Sequence, residues 1–410
     1  MKTIIYMRIG IITYFRVANF GANLQAVSTY RYLKKVGHSP IFIHYMSEQL
    51  YKTTDCCYHS NPQIKAHLDF IDKVIPERTS ICFTKEDINQ AILRHGIEAI
   101  IIGSDAVLQH HPFMSRVHLR GRILKRIHID KVNADRLFPN LFWGCGIRQD
   151  IKKILMSVSS QNSAFMDFSS DLKLRMREAL SCFSYISARD TWTQRMIFSI
   201  NGIEVPLTPD PVFAFNENAG DIVPSKEYIL RKFHLPERYV LISFLNVNLP
   251  ENIIWGIKEC FSGECSCVAF PSPRGVRFQH NYDYEVPLPL SPEEWYALIK
   301  YSNGYIGNNM HPIVVALHNN VPCFSIDNYS NYDFWGRPQR DGASKIEDIL
   351  SRCNLTNNHI VPFKGNTENL DERIYKGIME FPKEEIAIFS ENMYSSYKSM
   401  MESIIKTLSV

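Results

Sequence analysis

Apolar and polar positions along the chain fall into short segments that alternate between two periods. Compact apolar stretches recur at Arg8 to Phe15, Pro40 to Tyr45, Glu98 to Ile102, Lys153 to Val158 and Tyr185 to Arg189. Each reads as a buried strand. Between them, residues 20–35, 63–74, 85–95, 170–182 and 191–199 place apolar side chains at helical spacing. A second series follows, with strands at Tyr239 to Leu245, Cys267 to Phe270, Gly304 to Gly307 and Cys323 to Ile326. Its helices fall near 251–260, 292–301 and 311–317, and Ser344 reads as the N-cap of another, with Glu347 in capping-box position. Residues 383–408 make a closing amphipathic helix. Strand–helix alternation predicts parallel sheets covered by helices, so the expected class is α/β with two open sheets.

Length agrees with that division, because 410 residues exceed what one core usually supports. The proline-punctuated Thr208-Pro-Asp210-Pro, followed by a polar stretch from Asn216 to Ser225 that reads as flexible, marks the boundary. The expected units are 1–207, 208–380 and a final helix at 381–410, with a basic insertion at 110–140. A net charge of +3 gives no whole-chain case for nucleic acid. No apolar run approaches the roughly 18 residues of a membrane span. The ten cysteines form no Cys-x-x-Cys pair. Cys260, Cys265 and Cys267 suit either a metal or small buried positions, and the latter explains them better. With no signal peptide, reduced thiols point to a cytoplasmic protein. Arg116, Arg120, Arg122, Lys125, Arg126, Lys131 and Arg136 make a basic patch. It suits anionic lipid at the membrane face, a pyrophosphate-linked acceptor or simply a solvated helix face.

Ligands of open parallel sheets sit beyond the carboxyl ends of strands. Asn308, Asn309 and His311 follow one such end and open a helix, whose N-terminus favours anions. Gly103-Ser-Asp105 ends another strand, and Asp105 suits either ligand contact or turn capping. Arg189 closes a third, where its planar fork can take carboxylate or phosphate, or pair with Asp190 at the surface. Arg274 and Arg277 follow the strand at 267–270. Asn19, Asn23 and Gln25 offer neutral amides to sugar hydroxyls, or cap the helix and brace its loop. Gly21 leaves room for close backbone approach. The dinucleotide fingerprint Gly-x-Gly-x-x-Gly is missing from this first turn.

Asn19-Phe-Gly-Ala-Asn-Leu-Gln-Ala, Gly103-Ser-Asp105, Ile186-Ser-Ala-Arg189-Asp, Asp210-Pro-Val, Met310-His311 and Ser344-Lys345-Ile-Glu-Asp-Ile-Leu occur in this order. Together they resemble the polysaccharide pyruvyltransferase family over most of the chain. The resemblance implies a GT-B-like architecture, two Rossmann-like domains facing a central cleft. It also implies transfer of the enolpyruvyl carbons of phosphoenolpyruvate to sugar hydroxyls, with a pyruvate ketal and phosphate as products. On that resemblance His311, Asp105 and Asp210 are the candidate catalytic residues. Arg189, Lys345, Asn309, Arg274 and Arg277 are the donor-binding candidates, and Asn19, Asn23 and Gln25 the acceptor-binding ones. Asn309 stands where many members carry arginine, so a second cation is expected from Lys345, Arg274 or Arg277. No cofactor and no metal is expected, and the partners are phosphoenolpyruvate and a sugar or lipid-linked acceptor. A nucleotide-sugar glycosyltransferase, or a non-catalytic carbohydrate-binding relative, would share the fold.

Overall fold

Five parallel strands build the first sheet: β1 (Arg8–Ile12), β2 (Ser39–Phe42), β3 (Ala99–Asp105), β4 (Lys152–Val158) and β5 (Tyr185–Ala188). Their order is β2-β1-β3-β4-β5. The computed structural model describes residues 6–112, 118–120, 126–128, 133–244, 251–276, 282–327, 331–332, 338–339, 344–361 and 368–409. β3 is buried at every position. Its first four residues read as a continuous apolar run, because helices cover both faces of a parallel sheet.

The second sheet comprises β6 (Tyr239–Ser243), β7 (Ser266–Ala269), β8 (Tyr284–Glu285), β9 (Gly304–Gly307), β10 (Cys323–Ile326) and β11 (His359–Ile360). These strands are parallel in the order β8-β7-β6-β9-β10-β11. Strand order reverses between β1 and β3 in one sheet and between β6 and β9 in the other. Such switch points open crevices at the carboxyl ends of the strands. β8 and β11 were not anticipated, since two-residue edge strands are too short to show a period.

The covering helices are α1 (Phe20–Lys35), α2 (Pro62–Val74), α3 (Lys85–Arg94), α4 (Ser170–Ser181), α5 (Thr191–Asn201), α6 (Lys226–Phe233), α7 (Glu251–Phe261), α8 (Pro292–Lys300), α9 (Met310–His318), α10 (Lys345–Arg352), α11 (Leu370–Met379) and α12 (Lys383–Ser409). α1 is buried over most of its circumference. It lies between the first sheet and helices of the second half, and one apolar core runs through both. Phe20 stacks on Trp295 at 5.0 Å between ring centroids, joining α1 to α8. α12 returns across the first half, where Tyr397 meets Tyr32 edge-on at 5.5 Å and Lys152 Nζ donates to the Thr407 carbonyl at 3.3 Å. The closing helix thereby ties the two halves together.

The stretch Asn216 to Ser225 is ordered rather than flexible, with a helical turn at Phe215–Ala219 and a 3-10 turn at Gly220–Ile222. Its polarity is spent inside the protein. The Asn216 Oδ1 accepts from Tyr296 and Lys300, and its Nδ2 donates to Asn319. Among the described residues, no helix is long and apolar enough to cross a membrane.

Candidate active site

The two switch points meet where α9 begins. β9 ends at Gly307, Asn308 is buried, and His311 stands on the first turn of α9. Its imidazole lies against Gly21 of α1 so closely that a Cβ at position 21 would sit 1.9 Å from His311 Cγ. Only glycine leaves that space. His311 Nε2 is 4.0 Å from Asp210 Oδ2 and has no hydrogen-bond partner among the described residues. Burial lowers the imidazole pKa below its usual value, Arg189 and Lys345 push the same way, and Asp210 and Asp105 oppose them. The ring is therefore neutral at neutral pH.

Asp210 is the hub. It is 2% exposed, and its Oδ1 caps the turn Pro211–Ala214 by accepting from Val212 N at 3.0 Å. Its Oδ2 accepts from Arg189 Nη1 at 2.8 Å and from Gln25 Nε2 at 2.5 Å. The segment carrying it is held beside β5 by two bonds, Thr208 N to the Ala188 carbonyl at 2.8 Å and Ser157 Oγ to the Pro209 carbonyl at 2.7 Å. Arg189 follows β5 directly. Its Nη2 lies 3.8 Å from Asp105 Oδ1, and its Nε has no partner among the described residues.

Asp105 ends β3 with φ of 98°, a conformation that side chains rarely adopt. It is held there from several directions. Its carbonyl accepts from Val107 N at 2.8 Å and Ser159 N at 3.0 Å, and its Oδ1 accepts from Ala106 N at 2.7 Å. Strain that the surroundings over-determine is found where geometry serves a function. Lys345 opens α10, positioned by Ser344, whose hydroxyl caps the helix through Glu347 N at 3.1 Å and bonds Asp327. Its ammonium pKa is pushed down to about 8, by burial first and then by Arg189, against Asp190, Asp105 and Asp210. A narrow cavity between the two halves is lined by Arg189, Asp190, Asp210, Met310, Lys345 and Asp348, among others. An imidazole, two cations and a strained carboxylate at the carboxyl ends of two sheets suit an anionic substrate and proton transfer.

The sequence profile of polysaccharide pyruvyl transferases matches residues 19–331. The chain belongs to the polysaccharide pyruvyl transferase family. A search of curated proteins found no match. Among solved structures, UDP-GlcNAc 2-epimerase from Neisseria meningitidis superposes with a TM-score of 0.56 at 11% identity. That match covers 98% of this chain and 100% of the epimerase chain. The spinosyn forosaminyltransferase SpnP gives 0.51 at 10% identity, over 99% of this chain and 100% of its own. Such likeness shows the fold: two Rossmann-like domains arranged as in GT-B proteins.

Placed in this pyruvyl transferase fold, the candidates separate. His311, Asp105, Asp210, Arg189 and Lys345 come together, while Asp327 accepts from Ser344 and lies 3.6 Å from His359 Nε2. Gln25 joins them as a donor to Asp210 rather than as a free amide. Asn19 is the N-cap of α1, accepting from Ala22 N at 3.2 Å. Asn23 is fully buried, with Nδ2 on the Phe15 and Val17 carbonyls and Oδ1 against His67 Nδ1 at 2.6 Å. An acceptor role does not fit a side chain so committed, and Asn23 braces the loop between β1 and α1. Asn309 occupies the N-cap position of α9 without a capping bond from its side chain. Arg274 is exposed on the turn after β7 and does not line the cavity. Arg277, and all but Arg136 of the basic patch as side chains, lie outside the described residues. Asp190 joins the site without a signal of its own beyond following Arg189. It caps α5 by accepting from Thr193 N at 2.8 Å, and accepts from Ser159 Oγ at 2.6 Å.

Gly21→Ala tests the contact with His311. A displaced ring is expected to cut turnover roughly 10²-fold, the cost of an ångström-scale misplacement. Normal turnover in that variant would show that the ring has room to move.

Proposed function

We propose that this transferase moves the pyruvyl group of phosphoenolpyruvate onto hydroxyls of a sugar, in a surface polysaccharide or its lipid-linked precursor, on the cytoplasmic side. A pyruvate ketal forms and phosphate is released. One observation carries the reading: in a member of this family, the Nε2 of a neutral His311, without a hydrogen-bond partner among the described residues, lies 4.0 Å from the carboxylate that Arg189 binds, and Arg189 and Lys345 line the cavity beside that carboxylate.

The reaction balances through one proton relay. Two sugar hydroxyls lose their protons as their oxygens bond to C2 of the donor. One proton reaches C3, turning methylene into methyl, and the other departs with phosphate as the C2–O bond breaks. A neutral imidazole is fitted to take the hydroxyl proton and hand it to C3, work that typically supplies about 10²–10⁴-fold. Arg189 and Lys345 bind the donor carboxylate and phosphate, each charge-assisted bond being worth roughly 1.5–3 kcal/mol. Asp105 orients the acceptor hydroxyl. Asp210, with both oxygens occupied, is a positioning residue for Arg189 and His311 rather than a contact for the acceptor.

Lys345 makes donor affinity pH-dependent. Its ammonium is charged below about pH 8 and discharges above it. Donor affinity is therefore expected to hold below that pH and to fall by up to about tenfold per unit above it. Titration calorimetry across this range checks the point, and a flat profile would remove Lys345 from the donor site. The function itself is tested by phosphate release from phosphoenolpyruvate with galactosyl, glucosyl and N-acetylmannosaminyl acceptors, with mass spectrometry of the sugars. Acceptor-dependent release with a pyruvylated product supports the reading. No release with any acceptor, and no binding of phosphoenolpyruvate, would overturn it.

A further inference from the structure

We infer that a second cavity, at the carboxyl ends of β10 and β11, is a sugar-binding subsite that holds the saccharide unit next to the one that reacts. The inference rests on the pyruvyl-transfer reading and extends it to a face of α10 that the reaction does not use.

α10 is a wall shared by two cavities. Lys345, Asp348, Ile349 and Arg352 recur at helical spacing and line the narrow cavity between the halves. Glu347 and Leu350 stand on another face of the same helix. With Thr356, His359, Ile360 and Arg373 they line the second cavity. Its volume of about 260 Å³ is just under the roughly 300–1,000 Å³ of sites for drug-sized ligands, so it suits about one ring. It lies on the ligand side of the second sheet, where β10 ends at Ile326 and β11 at Ile360.

The inner end of this cavity is built around Asp327, the first residue past β10. Asp327 N donates to the Ile360 carbonyl at 2.8 Å, and its carboxylate accepts from Ser344, the N-cap of α10. Its Oδ2 lies 3.6 Å from His359 Nε2, which is buried and makes no hydrogen bond among the described residues. The His359 side chain is 9% exposed. An aspartate behind one nitrogen orients an imidazole and leaves its second nitrogen, Nδ1, for a ligand. Glu347 and Thr356 are exposed and stand at the mouth.

The lining selects among small ligands. Arg373 is already engaged, so an anion would be left facing Glu347 at the mouth and Asp327 behind the imidazole. A nucleobase would find no Phe, Tyr or Trp to stack on among the described lining residues. A sugar ring matches both kinds of wall. Its hydroxyls donate and accept, which suits Glu347, Thr356 and the imidazole, and its C–H face packs on Leu350 and Ile360. Lys345 and Glu347 share the first turn of α10, which rises roughly 5 Å. A saccharide seated here therefore has its neighbouring unit beside the donor site.

The test measures binding of methyl galactoside, methyl glucoside and methyl N-acetylmannosaminide, each also as its β-linked disaccharide, by saturation-transfer NMR. The full chain is compared with Glu347→Gln, Thr356→Val and His359→Ala, with melting curves and phosphoenolpyruvate affinity for each. At least one disaccharide is expected to bind the wild-type chain roughly tenfold more tightly than its monosaccharide, the yield of one or two added hydrogen bonds. Glu347→Gln is expected to remove most of that gain and to leave monosaccharide and phosphoenolpyruvate affinities unchanged. A gain that survives all three substitutions in folded protein overturns the subsite, as does a wild-type chain with no gain for any disaccharide. Should His359→Ala fail to fold, Glu347→Gln and Thr356→Val decide, since both side chains are exposed. If the gain depends on Glu347 but phosphoenolpyruvate does not bind, the pyruvyl-transfer reading falls and the sugar subsite stands. If phosphoenolpyruvate binds and the gain is absent, the subsite alone falls.

Discussion

Replacing His311 with alanine is expected to lower acceptor-dependent phosphate release by about 10²–10⁴-fold, the usual contribution of a positioned acid–base group, with the fold retained. The fold should survive because the ring holds nothing in place. Its Nε2 makes no hydrogen bond among the described residues, and the side chain keeps 17% of its exposure. The rate should fall because, among the described residues, its neighbours Asp210 and Lys345 are committed to other work. Asp210 Oδ2 is taken by Arg189 and Gln25, and Lys345 is mostly protonated at neutral pH. Measuring phosphate release alongside the melting curve separates the two effects. Near-normal release from a folded His311→Ala protein would remove the histidine from the chemistry and leave the site as a binding pocket.

Asp210→Ala should act on stability instead, costing about 3–5 kcal/mol, as expected when one partner of a buried ion pair is removed. The Arg189 side chain is 3% exposed, so its charge would remain in the interior without a close counter-ion. Asp105 is no substitute, since its Oδ1 stands 3.8 Å from Nη2 and already accepts from Ala106 N. The same change frees Gln25 Nε2 and uncaps the turn at Pro211, adding to the loss. Urea midpoints measure it. A double-mutant cycle with Arg189→Met isolates the pair, because removing both charges should cost less than the sum of the single changes. A loss below about 1 kcal/mol for Asp210→Ala, in the range of an exposed pair, would mean that Arg189 finds another anion.

These two expectations differ in how far the sequence reveals them. The histidine is visible in the chain, since Gly304 to Gly307 is a short apolar run and His311 begins the helix after it. Gly21 can likewise be picked out as a position of close approach, though not the ring that approaches. The hub role of Asp210 is not visible. Its partners Gln25 and Arg189 are 185 and 21 residues away, and a Pro-flanked aspartate reads locally as a turn cap, which it also is. Asn19 and Asn23 show the converse. Neighbouring polar amides look alike as potential sugar ligands, but one caps α1 and the other is consumed by two carbonyls and His67.

By itself the sequence determined most of the longer strands and helices, the α/β class and the division into two sheets, because periods of apolar side chains are local and survive in a single chain read alone. It also placed Asp105, Arg189 and His311 at the carboxyl ends of strands, since a strand end is a local property too. Only the tertiary structure decided the strand orders, which bring both switch points to one place, and the identity of each buried charge's partner. Those are set by packing between residues far apart in the chain, where α1 settles between the halves and leaves His311 the space above Gly21.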